Sequence, residues 1–172
     1  TIILVRKYMN KLFKNKKGFT LVELIVVIAI MAILAGMTVP SVLNYIKNYK
    51  KVSAKTDTES IFRIAVAAIP QYKMDVKGQT LTDQQKTDLM VNRIKERASS
   101  SEYEIVAYSS VNLDGSNDKS VILVEVYGST IYVAFLGKGW KIDGATTLHS
   151  ASKIVDEDGA DSTFLYSQTI WE

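Results

Sequence analysis

Residues 19–39 form an apolar run broken by one charge, Glu23, and residues 1–18 ahead of it carry six basic side chains and no acid. At about 1.5 Å per residue, such a run makes a helix of roughly 31 Å, close to the roughly 30 Å of a bilayer's hydrocarbon core. This commits the chain to one membrane-spanning helix near its N-terminus. The basic flank (Arg6, Lys7, Lys11, Lys14, Lys16, Lys17) is expected to stay in the cytoplasm, with the long remainder outside. Lysines at 47, 50, 51 and 55 follow the span, but the leader charges crowd closer to it.

A secretory signal peptide also opens with a basic flank, but its apolar part ordinarily runs about 7–15 residues and ends in a small-residue cleavage site. Here the run is longer and ends at Pro40-Ser41. A plain signal anchor fits that pattern and leaves Glu23 unexplained. A carboxylate within a spanning helix costs about 2.5–3.5 kcal/mol at the centre and less towards an end, so it normally has a partner or a task. The leader lysines lie across the interface, and the next basic residue, Lys47, is 24 positions on. A cut between Gly18 and Phe19 would create an α-amino group about 6 Å from Glu23 along the helix axis.

The stretch K-K-G-F-T-L-V-E-L at residues 16–24, followed by the apolar run and Pro40, resembles the N-terminus of type IV prepilins and pseudopilins, the class III signal peptide family. The resemblance reaches from Lys16 to about Lys51. It implies an α+β type IV pilin fold, with a long N-terminal stalk helix packed on an antiparallel β-meander head. It implies a prepilin peptidase that cuts after Gly18 and methylates the amine of Phe19. Glu23 then has an assembly role, pairing with the N-terminal amine of a neighbouring subunit. In physical terms such a pair neutralises a carboxylate that lipid would otherwise penalise, and methylation keeps the cation. The partners implied are copies of the chain and other pilins in a helical filament, the peptidase, an assembly platform with its ATPase, and the cytoplasmic membrane before assembly. The function implied is that of a structural subunit of a surface pilus serving adhesion, motility or biofilm. A pseudopilin of a secretion or DNA-uptake apparatus shares the same N-terminus and is the alternative. Met9 to Gly18 alone has the make-up of a short leader, so translation is expected to begin at Met9.

Four segments are expected: the leader at 1–18, the membrane and assembly helix at 19–40, the outer half of the stalk helix at 41–69, and a head at 70–172. Pro40 cannot donate to Gly36, and glycine is itself a weak helix former, so residues 36–40 are a candidate kink or flexible segment. Beyond a polar stretch with Tyr45, Tyr49 and Val52, the residues Ile61, Ile64, Ala65 and Ala68 recur at helical spacing and should bury themselves in the head. Pro70 is expected to stop this helix. Thr82 to Gln85 reads as a capping box opening a helix at 83–97. Residues 103–108, 120–127, 130–136 and 163–171 read as strands, with Gly128-Ser129 as a hairpin turn. Alternation along the second strand assigns Glu125 to its outer face.

Composition narrows the function further. The chain has no cysteine, which excludes disulfides, thiolate catalysis and Cys-based zinc sites. The resemblance implies that Gram-negative relatives often tie their C-terminal region with a disulfide. Its absence points towards a Gram-positive source and leaves residues 140–172 to be held by Trp140, Phe164, Tyr166 and Trp171. Without residues 1–18 the chain would hold 15 basic and 18 acidic side chains, so no nucleic-acid partner is expected. The loop D-E-D-G-A-D offers oxygen ligands at Asp156, Asp158 and Asp161 that suit calcium, but its glycine is fourth and does not match an EF-hand, so a solvated acidic loop is the other reading. Asp114 to Asp118 reads as a hairpin loop, residues 137–140 as a turn feeding Trp140, and His149 as a surface imidazole. No enzyme is expected. An anchored sensor or enzyme domain would be the reading if no cut occurred after Gly18.

Overall fold

A computed structural model of the chain describes residues 18–98, 102–144, 147–156 and 158–170. Residues 1–17 of the leader, Glu157 and Trp171 lie outside the described residues. The chain divides into two compact units between Lys47 and Asn48, a boundary that falls inside the first helix. That helix, α1 (Leu21–Val76), begins in the first unit and ends in the second.

Within the first unit every described side chain is exposed. An 18-residue window there has a mean hydropathy of 2.6 with none of it buried, so this helix is long and apolar enough to cross a membrane. The helix passes through Gly36 and Pro40 without interruption. Near that weak point the hydroxyl of Thr38 donates to the carbonyl of Leu34 at 2.9 Å.

The second unit holds one core. Along α1 it buries Ala54, Thr58, Ile61, Ala65, Ala68 and Tyr72, a stripe at helical spacing. Pro70 does not end the helix as expected. A proline inside a helix removes one hydrogen bond and costs about 3 kcal/mol, but continuing for another turn buries Tyr72 completely. Arg97 also donates to the carbonyl of Ala67 at 2.8 Å, and Arg93 holds Asp75 at 2.7 Å, so the last turns are tied down from outside.

Helix α2 (Asp83–Arg97) opens on the expected capping box: Thr82 accepts from the amide of Gln85 while the Gln85 side chain accepts from the amide of Thr82. It buries Thr87, Met90, Val91 and Ile94. The sheet follows as β1 (Glu104–Ala107), β2 (Val121–Tyr127), β3 (Thr130–Leu136) and, last in the chain, β6 (Leu165–Thr169), in the order β1-β2-β3-β6. β2 and β3 pair antiparallel from Val121 opposite Leu136 to Tyr127 opposite Thr130, around a turn in which Gly128 has φ of 57°. β6 pairs antiparallel with β3.

The meander expectation fails at one edge. β1 runs parallel to β2, and residues 108–120, including a single 3-10 turn at Tyr108–Ser110, carry the chain back between them. The segment from Asp114 to Asp118 is therefore part of this crossover and not a hairpin loop. β1 ends opposite Val124, two residues before Val126 would need a partner. There the hydroxyl of Thr87, fully buried, accepts from the Val126 amide at 2.9 Å and so stands in for the missing strand. A separate hairpin of β4 (Lys141–Asp143) and β5 (Lys153–Val155), absent from the sequence expectation, completes the unit. Between β3 and β4, Trp140 donates its amide to Gly137 at 3.0 Å and its ring packs so close to Gly137 that a Cβ there would lie 2.5 Å from it.

Candidate functional site

The N-terminal site begins with a local rule of helix ends. Four backbone amides at a helix start have no partner within the helix, and a Thr followed three residues later by Glu can satisfy two of them reciprocally. Thr20 and Glu23 do this. The Thr20 amide donates to Glu23 Oε2 at 2.9 Å, the Thr20 hydroxyl donates to the same oxygen at 2.8 Å, and the Glu23 amide donates to Thr20 Oγ1 at 3.2 Å. Both of these bonds accepted by the carboxylate go to Oε2. Phe19, 82% exposed, and Gly18 precede this cap and are open to an enzyme or a neighbour.

The sequence argument gave Glu23 a partner only after a cut at Gly18. The geometry supplies two neutral donors from its own helix as well. The pattern T-x-x-E at residues 20–23, ahead of an apolar run, is the sequence signal for Thr20. A carboxylate preorganised at a helix N-terminus, next to the exposed Gly18 and Phe19, is suited to receive an ammonium group.

The acidic loop is organised from within. Asp156, its side chain 3% exposed, accepts from the Lys51 ammonium at 2.5 Å and Ser162 Oγ at 3.2 Å through Oδ2, and from the amides of Asp158 (3.1 Å) and Ala160 (2.8 Å) through Oδ1. The hydrogen bond from Lys51 is the main reason its carboxyl is held down at about 2, with the Ala160 amide adding to it against the opposing effect of burial. Asp161 accepts from the amide and hydroxyl of Thr163 at 3.1 and 2.7 Å. Among the described residues no group of three or more His, Asp or Glu side chains is arranged to hold a metal ion.

Of two residues expected at the surface, Glu125 is buried and His149 is only partly exposed, its side chain at 24%. Glu125 does face away from Val124 and Val126, but the segment carrying Leu148 and His149 covers that side, leaving Glu125 1% exposed and Leu148 fully buried. Its carboxylate accepts from the His149 amide and meets His149 Nδ1, each at 2.8 Å. The imidazole lies flat on Tyr127, with ring centroids 3.7 Å apart and planes within 3°. His149 is thus a clasp on the sheet and not a free surface imidazole.

Comparison with known proteins agrees with this geometry. Residues 13–39 match the family described as the prokaryotic N-terminal methylation motif. A fimbrial protein of Pseudomonas aeruginosa is 31% identical over 135 residues, 77% of each chain. The type II secretion system core protein G of the same species is 39% identical over 62 residues, 36% of this chain and 41% of that protein. A ComG operon protein 3 homolog of Bacillus licheniformis is 35% identical over 66 residues, 38% of this chain and 64% of that protein. No solved structure matches. An apolar, capped N-terminal helix and a mostly antiparallel sheet domain define a class of membrane-anchored filament subunits. The chain belongs to the type IV pilin and pseudopilin family.

Proposed function

We propose that this chain is a type IV pilin, the structural subunit of a cell-surface filament, and has no catalytic role. The observation that carries the choice is the extent of the matches. Likeness to the fimbrial protein spans 77% of the chain, whereas likeness to the secretion and competence proteins spans 36–38%. The subunit waits in the cytoplasmic membrane as a single span with its C-terminal unit outside, as the basic leader directs. A prepilin peptidase cuts after Gly18 and methylates Phe19, and an ATP-driven platform then adds the subunit to the filament. Glu23, held by Thr20, receives the amine of a neighbour's first residue. Residues 36–40, where Pro40 leaves the Gly36 carbonyl without its usual donor, are the segment that yields when helices pack. No cofactor is required for this role.

Shearing cells that express the chain tests the reading. Filaments visible by electron microscopy, made of subunits whose mass corresponds to N-methyl-Phe19 as first residue, are expected. A Glu23→Ala variant should insert in the membrane and leave no filaments. A mature chain retaining the leader, or normal filaments from that variant, would overturn it. The higher identity to the secretion and competence proteins over their shorter stretch favours a pseudopilin as the second reading, and a chain confined to the envelope with an empty sheared fraction would select it.

A further inference from the structure

We propose that the stored subunit occupies the hydrocarbon of the bilayer from Leu24 to Leu43, not from Phe19 to Val39. The first turn and Glu23 then lie among lipid headgroups on one side, and Asn44, Tyr45 and Lys47 lie among them on the other. This depth rests on the membrane-stored subunit described above and asks nothing of the filament.

The start of the helix sets the first edge. Helix α1 begins at Leu21, and Gly18, Phe19 and Thr20 ahead of it are not helical. Irregular backbone does not face lipid tails, because nothing there bonds its open groups. In the first turn the Thr20 amide is held by Glu23, the Glu23 amide by the Thr20 hydroxyl, and the Leu24 amide by the Thr20 carbonyl. The amides of Leu21 and Val22 meet no acceptor among the described residues. They are the open donors of any helix start, and water or a headgroup has to answer them. A carboxylate is also cheapest outside the oil, so Glu23 asks for the same depth. Hydrocarbon therefore begins at Leu24.

The other edge follows from length and from where polarity returns. From Leu24 to Leu43, at about 1.5 Å per residue, the helix covers about 30 Å, the thickness of the core. No charge falls within that stretch. The helix passes Val39 and Pro40 unbroken, so nothing in its backbone marks an edge there. The two hydroxyls in the stretch are answered from within: Thr38 donates to the Leu34 carbonyl at 2.9 Å and Ser41, more weakly, to that of Met37 at 3.5 Å. Asn44, Tyr45 and Lys47 follow at once and are exposed, Tyr45 at 72%. Tyrosine, with an apolar ring and a polar tip, and lysine, on its long stem, are side chains that settle at headgroup level. Relative to a span starting at Phe19, this depth gives up Phe19, Leu21 and Val22 and gains Val42 and Leu43, a small apolar loss. It also lifts a carboxylate, two open amides and a non-helical end out of lipid, which decides the balance. Glu23 can then wait in the membrane without a partner, and a neighbour's amine becomes necessary only when the helix leaves the bilayer for the filament.

Single thiols measure depth directly, since the chain has no cysteine of its own. The full-length chain is reconstituted into vesicles of phosphatidylethanolamine and phosphatidylglycerol, with a charged maleimide on both sides so that orientation does not matter. A thiol in hydrocarbon stays protonated and reacts slowly, so Val42→Cys and Leu43→Cys should each react more than about fivefold more slowly than Lys50→Cys. Phe19→Cys, among headgroups, should react more than about fivefold faster than Met31→Cys at the centre of the span. A smaller ratio in either comparison would overturn the proposed depth. If Leu43→Cys does not reconstitute, Val42→Cys decides the outer edge alone. A Met31→Cys chain that reacts as fast as Lys50→Cys would instead show that the helix does not span at all, and the membrane-stored reading would fall with it.

Discussion

The ammonium of Lys51 lies 2.5 Å from a carboxylate oxygen of Asp156, 105 residues further along the chain, and so ties helix α1 to the loop between β5 and β6. Asp156 has four donors on its two oxygens, which makes the carboxylate the organiser of that loop.

Asp156→Ala should therefore destabilise the second unit by about 2 kcal/mol at neutral pH, less than for a wholly buried pair because the Lys51 side chain is 37% exposed. The pH dependence has a definite sign. Folding holds the Asp156 carboxyl at about 2, below its ordinary value of 3.8, so its contribution is complete above about pH 4 and fades as pH falls towards 2. Thermal denaturation at pH 7 and at pH 2.5 should show a wide gap between parent and variant in the first case and a narrow one in the second. Calcium should leave the parent's melting temperature unchanged, because binding would have to displace Lys51. A gap independent of pH, or a calcium-induced rise, would contradict this account.

The clasp between Glu125 and His149 calls for a double-mutant cycle. His149→Ala leaves a buried carboxylate with a backbone donor but without the imidazole, and should cost about 2–3 kcal/mol. Glu125→Leu with His149→Ala removes both partners and should cost less than the sum of the single changes, since no buried charge remains unanswered. Urea denaturation of the three variants measures this. Strict additivity would mean that the two side chains do not act as a pair.

Much of the fold was legible because its signals are local. The Thr82–Gln85 capping box, the alternation of β2 and β3 and the turn at Gly128 each act within a few residues, and each element appears where its pattern lies. The misses share a cause, in that long-range packing overruled a local rule. Pro70 reads as a stop, but the burial of Tyr72 and the bonds from Arg97 hold the next turn in place. Glu125 reads as outward, and it is on the outer side, but a segment more than twenty residues away closes over it. β1 reads as one more strand of a meander, since nothing in its four residues announces a parallel partner. β4 and β5 are three residues each, too short to show a period. At the N-terminus the signal is local: T-x-x-E ahead of the apolar run encodes the cap that the Thr20 hydroxyl forms with Glu23.

That hydroxyl leads to the last prediction. In the capping box Thr20 holds Glu23 Oε2 through both its amide and its side chain, so losing the hydroxyl should loosen the first turn while leaving the carboxylate in place. Thr20→Val should speed hydrogen exchange at the amide of Glu23 by about fivefold in detergent micelles, since its acceptor, the Thr20 hydroxyl, is gone, whereas Leu24 keeps its bond to the Thr20 carbonyl. Thr20→Ser keeps that acceptor and should stay within about twofold of the parent. In cells the Val variant should assemble more slowly than the Ser variant, because Glu23 then spends less time aimed at an incoming amine. Equal exchange rates in all three chains would show that the first turn does not depend on this cap, and equal assembly rates would separate the cap from the recruitment of a neighbour.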